Sequence, residues 1–239
     1  MSTENILFIA FAIAAMIGGR FLINAIKKSQ NKEADYKDMA QAFGWTYVRD
    51  TTSKKSAIFD IFSDPDDDWT LTIVFINSGP NGSNSIRRVD WNTPQGALAE
   101  GEAVLGAPLP EKTVDVLASG SKFAKTATKA ALKGTMYALG KTKFTLAFDE
   151  TTAGDPGGIV MSTPGQEKEM DSLRQNKALA AFRADRPDID VPLMIRDENG
   201  LTLRRPNITS DRYELKAIVS LGKELRETLQ ELPPRALAK

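Results

Sequence analysis

The sequence predicts an α+β fold: an N-terminal transmembrane helix followed by a domain of antiparallel β-sheet with packed helices. Three observations lead there. Residues 6–26, ILFIAFAIAAMIGGRFLINAI, are apolar at 17 of 21 positions. Segments of alternating polar and bulky β-forming residues dominate positions 45–91. Beyond them, longer helix-patterned segments are interspersed with short strands and turn-rich stretches, which is the ordering of an α+β fold rather than of a parallel α/β sheet.

The first element is the apolar run. At ~1.5 Å per residue a helix of this length reaches ~31 Å, which matches a hydrocarbon core of ~30 Å. A cleaved signal peptide needs a basic start and a small-residue cleavage site, but MSTEN contains no base and the run continues past Ala12–Ala14. Lys27, Lys28 and Lys32 follow the run and no Lys or Arg precedes it, so residues 29–239 are expected in the cytoplasm, with the protein a single-pass inner-membrane protein and its N-terminus outside. Ala10, Ala14 and Gly18 recur on one helical face and suit close packing with other membrane helices. Arg20 either snorkels to the cytoplasmic interface or pairs with an acid or carbonyl on a neighbouring subunit.

Residues 29–44 read as a polar helix that buries Tyr36, Met39, Ala40 and Phe43 and ends at Gly44. Strands follow at Trp45–Val48, Ser56–Phe62 and Trp69–Ile76, with Ile86–Trp91 completing a hairpin. A helix is expected at Gln95–Leu105 after Thr93-Pro94. Val114–Leu139 is an Ala-rich helix, Lys143–Phe148 and Ile159–Met161 are strands, and Glu167–Arg183 is a helix. Leu193–Arg196 and Leu201–Arg204 form a hairpin over Asp197-Glu-Asn-Gly200. The last helix starts at Thr209-Ser210-Asp211 and buries Leu215, Ile218, Val219, Leu225, Leu229 and Leu232. This order divides the chain into an anchor, residues 1–28, and two α+β halves, 29–110 and 111–239, which the ordering allows to be similar units packed together.

Composition narrows the chemistry. The 239 residues include no His and no Cys. Disulfides, thiolate nucleophiles, imidazole bases and His or Cys metal sites are therefore excluded. With 31 Lys+Arg against 31 Asp+Glu, the charge balance gives no reason to expect nucleic acid as a partner. No cofactor is expected.

The segment 121–143 has six lysines and no acid. Lys122, Lys125, Lys129 and Lys133 fall on one side of a helix at 121–140, opposite Phe123, Ala127, Ala130, Gly134, Tyr137 and Ala138. Such a helix either lies on anionic lipid headgroups or another protein, or exposes an ordinary solvated face. Three motif resemblances fail on spacing. Gly140-Lys141-Thr142 follows a helix and precedes a strand, the reverse of a phosphate-binding loop. Ser119-Gly-Ser-Lys122 lacks the companion motifs of serine acyl enzymes. Asp64, Asp66 and Asp68 alternate as in a calcium loop, but Trp69 and Phe75 stand where Gly and Glu are required.

These features favour a non-catalytic accessory or assembly subunit of a larger bacterial membrane protein complex, docking through the anchor and the cytoplasmic domain. A membrane-tethered lipid- or ligand-binding module is the alternative, and an enzyme using Asp/Glu or Lys chemistry the third.

Overall fold

A computed structural model describes residues 32–51, 57–77, 84–119, 122–140, 146–185, 192–206 and 211–230. The first helix, α1, covers residues 32–43. Strands β1 (Thr46–Asp50), β2 (Ala57–Ser63), β3 (Thr70–Asn77) and β4 (Asn84–Thr93) form an antiparallel meander. The short β5 (Ala103–Leu105) precedes helices α2 (Glu111–Ala118) and α3 (Lys122–Gly140). Then come β6 (Ala147–Phe148), a 3-10 turn at Glu150–Thr152, β7 (Val160–Ser162), α4 (Asp171–Arg174) and α5 (Lys177–Ala184). The β8 (Leu193–Asp197) and β9 (Gly200–Pro206) hairpin leads into α6 (Arg212–Gln230).

Among the described residues, all nine strands join one antiparallel sheet in the order β1-β2-β3-β4-β9-β8-β5-β7-β6. One register row crosses eight of them: Tyr47, Phe62, Leu71, Trp91, Leu203, Met194, Leu105 and Val160. Because side chains alternate across a sheet, this row faces one side together. From Phe62 to Val160 it is buried, and it packs with Leu215, Ile218, Val219, Leu221 and Leu225 of α6 and with Tyr36, Met39 and Ala40 of α1. The alternate positions Val104, Met161, Leu193 and Ile195 form a second, smaller core with Leu146 on the opposite face. There the β5–β8 end of the sheet is apolar on both sides, and α3 packs against β8.

The predicted fold class is corrected on two points. The strands are not two similar halves: β9 pairs with β4, and β5 lies between β8 and β7. Hydrogen-bond ladders therefore run unbroken between the two sequence regions, because β4 and β8 would otherwise each be left with an unpaired edge. Nor is any helix among the described residues long and apolar enough to cross a membrane. The longest two are polar on one side, with four lysines in α3 and seven charged residues in α6. The expected transmembrane helix at 6–26 lies outside the described residues.

Three expected helices also change. Gln95–Leu105 is not helical; Gly96 and Gly101 take φ of 77° and 81°, and Ala103–Leu105 extends as β5. The Ala-rich helix breaks after Ala118 into α2 and α3. Glu167–Arg183 becomes α4 and α5, because the Asn176 side chain caps a new start by accepting from Leu179 N at 2.9 Å. The last helix starts as expected, with the Asp211 carboxylate accepting from the Tyr213 and Glu214 amides at 2.8 and 3.2 Å. Leu232 lies outside the described residues.

Candidate functional site

Two hollows meet at Ala42 between α1 and α6, one of about 540 Å³ and one of about 360 Å³. Asp35 and Asp38 of α1 line the larger hollow, with Lys32, Asp211 and Arg212. Phe43, Trp45, Lys216, Ser220 and Lys223 line the smaller. In the smaller hollow Phe43 and Trp45 lie 4.9 Å apart, and beneath them Trp45 meets the buried Trp69 edge-on at 5.2 Å, while Tyr36 and Met39 line the larger.

Cations on α6 cover those rings. The Arg212 guanidinium and the Lys216 ammonium sit 5.9 and 5.2 Å from the Phe43 centroid, and Lys223 sits 5.4 Å from that of Trp69. Positions 212, 216 and 223 repeat at one helical face, which aligns the three charges above the aromatic row. Lys223 is also held by Asp64 at 3.3 Å and Asp67 at 3.1 Å, and Arg226 pairs with Asp67 as well. The Arg226 hydrogen bond holds the Asp67 carboxyl down to about 2, against the opposing effect of burial. Among the described residues, Arg212 and Lys216 form no ion pair. The groove thus sets Asp35 and Asp38 of α1, with Lys32 beside them, against Arg212 and Lys216 of α6, over apolar and aromatic side chains. Such a surface can hold a polypeptide segment carrying both charge signs around an apolar anchor.

The Asp64–Asp68 turn, which alternates like a calcium loop in sequence, is the acidic clamp on α6. Among the described residues no group of three or more acidic side chains is placed to hold a metal.

The basic helix sits differently from its simplest reading. Lys125 and Lys129 are half-buried against the body, and Lys129 pairs with Glu150. That pairing holds the Glu150 carboxyl below the usual carboxylate range. Lys122 is exposed at the helix start. Lys133, Tyr137 and Ala138 belong to α3, and their side chains lie outside those described. The opposite stripe faces water: Ala127, Ala130 and Gly134 are exposed, and Phe123 is 86% exposed. Ala10, Ala14, Gly18 and Arg20 all lie outside the described residues. Of the Ser119-to-Lys122 pattern, the Ser119 hydroxyl donates to Val116 O at 2.7 Å, closing α2.

Sequence reasoning overlooked both the groove and a set of buried charges. Asp60 is fully buried and receives a two-pronged contact from Arg49, at 2.7 and 3.1 Å, plus the Tyr47 hydroxyl at 2.5 Å. Burial, and then the Asp60 carboxylate, push the Tyr47 phenol up. Asp90 is gripped by Arg204 at 2.8 and 3.0 Å and lies 2.9 Å from Arg88. Burial lowers the Arg183 guanidinium to about 10. It donates to two main-chain carbonyls, Gly157 O at 2.7 Å and Gly106 O at 3.1 Å. One signal was available for the first cluster: Asp60 stands at an inward position of an otherwise apolar strand, AIFDIF.

No protein-family model matches the chain, and no curated protein matches it. Among solved structures, the chain is similar to the crystal structure of the mycobacterial trehalose monomycolate transport factor A, TtfA. The identity is 15% and the TM-score 0.40, over 84% of this chain and 95% of that one. At this level of likeness neither fold nor function is carried over.

Proposed function

We propose that this chain is a non-catalytic accessory subunit of a bacterial membrane protein complex, working at the cytoplasmic face of the inner membrane. The observation that carries the reading is the groove between α1 and α6. Its aromatic side chains and the opposed charges of α1 and α6, with Arg212 and Lys216 outside any ion pair among the described residues, suit the docking of a segment of a partner subunit. Asp60, Asp67 and Asp90 are each engaged by arginine, which favours a structural over a catalytic role for these carboxylates. The apolar sequence of residues 6–26 and the basic flank at Lys27, Lys28 and Lys32 support the membrane location and its side. Ala10, Ala14, Gly18 and Arg20 are residue types through which that sequence would meet other membrane-embedded subunits.

The test is purification from native membranes in mild detergent, comparing the natural chain with the double variant Arg212→Glu, Lys216→Glu. Both positions are exposed, so the variant should melt at the natural temperature. Membrane subunits should accompany the natural chain in fixed stoichiometry and be lost from the variant. Equal recovery with both, or recovery of the chain alone, would overturn the reading.

A further inference from the structure

We infer that the start of α3 dips into the headgroup layer of an anionic membrane, with Phe123 as the apolar wedge and the exposed Lys122 as the phosphate contact. The inference rests on the membrane location proposed above.

Three observations carry it. Phe123 is 86% exposed one residue into α3, beside exposed Lys122. The outward stripe continues through Ala127, Ala130 and Gly134 without a charge, whereas a helix face meant for water is normally polar. The pairing of Lys129 with Glu150 turns the lysine side toward the body and fixes the Phe123 side outward. The surrounding segment 121–143 has six lysines and no acid. An aromatic ring at the tip, with lysines beside it, is the composition that enters a lipid interface: the ring leaves water and the ammonium groups stay at phosphate level. Charge decides between lipid and protein as occupant. Glu150, the acid that meets the α3 lysines, is taken by Lys129, which leaves the exposed Lys122 to complement a continuous sheet of phosphates, and each lysine near such a surface is worth about fivefold in partitioning.

The chain has no cysteine, so one introduced thiol can be labelled cleanly. Ala127→Cys lies one turn beyond Phe123 on the same exposed face, and Asn199→Cys, in the exposed β8–β9 turn, is the reference. The full chain, labelled with an environment-sensitive dye, is reconstituted into vesicles of phosphatidylcholine alone or rich in phosphatidylglycerol. At low salt the label at 127 should shift to the blue and be quenched by spin-labelled lipid in the anionic vesicles only. The label at 199 should stay aqueous. High salt, Phe123→Ser, or Lys122→Gln should each return the 127 signal toward its value in water. If the chain floats with vesicles while the 127 label remains as aqueous as the 199 label, this inference fails and the location stands. A chain that does not float overturns the location and the inference together. Equal quenching in both vesicle types, indifferent to the lysine change, would refute the phosphate contact.

Discussion

Gly222 of α6 lies directly against the indole of Trp91 in β4: a methyl group placed on Gly222 would come within 2.6 Å of Trp91 Cε2. Alanine is the better helix former by about 1 kcal/mol. Here packing outweighs propensity, because Trp91 is fully buried in the middle of the sheet and has no room to move. Gly222→Ala should therefore destabilise the domain, by about 1–3 kcal/mol in urea unfolding. A variant more stable than the natural chain would show that α6 can lift off the sheet at no cost.

The pairing of Asp67 with Arg226 ties stability to acid. The Asp67 carboxyl titrates at about 2 in the folded chain, below its ordinary 3.8. The unfolded chain therefore takes up the proton first, so this contribution is present above about pH 4 and is lost as the pH falls through 2. Asp67→Asn should cost about 1–2 kcal/mol at neutral pH, the charged hydrogen bond being partly discounted for exposure. The difference in melting temperature between the natural chain and this variant should hold steady from pH 7 to 5 and shrink as the pH drops toward 2. A gap that ignores pH would assign the loss to something other than the charge.

Asp60 and Arg49 form a pair whose two halves are worth little apart. Asp60→Ala leaves the Tyr47 hydroxyl without its carboxylate acceptor and the Arg49 guanidinium with Glu33, at 3.1 Å, in place of its two-pronged partner, in a site where the carboxylate is fully buried. The expected loss is about 2–4 kcal/mol, below that of a fully stranded charge because Glu33 remains. Adding Arg49→Met should recover part of it, since an apolar side chain at that place carries no charge to strand. Strict additivity of the two changes in chemical denaturation would refute the coupling.

Orientation at the membrane gives a prediction independent of the groove. Protease added to intact spheroplasts should leave residues 29–239 uncut, as the Lys27, Lys28 and Lys32 flank implies. Digestion before lysis would reverse the assignment.

The meander β1–β4 and the β8–β9 hairpin were legible in the sequence because each strand there has at least one face whose residues alternate, and the turns between them carry Gly, Asn and Asp. β5 was not. Its three residues are buried on both faces, so Ala103-Val104-Leu105 has no period, and the Ala and Leu before it imitate a helix. Joining the sheet into one was beyond the sequence too, since nothing local marks β9 as the partner of β4. For the groove, Leu215, Ile218 and Val219 revealed the buried face of α6, but Arg212, Lys216 and Lys223 read as ordinary solvated charge. Their meaning comes from Phe43, Trp45 and Trp69, which reach the same place from three other points in the chain. In α3 the helix sequence defined two faces and gave no way to tell which points inward; Glu150, outside the helix, decides it.

The pairing of β4 with β9 has a consequence for how the chain is made. The strand that covers β4 is translated more than a hundred residues after it. At 5–20 residues per second, the finished meander waits roughly 6–20 s with one long edge open. Trp91 is equally without its roof in that interval, because α6 is the last described helix to emerge. Ribosome-stalled or truncated chains that end before the β8–β9 hairpin should accordingly expose a ready template for strand addition and be the form that aggregates or recruits chaperones. The same non-local closure should make refolding of the complete chain slow for its size, with the joining of β9 to β4 as the step that admits all the others.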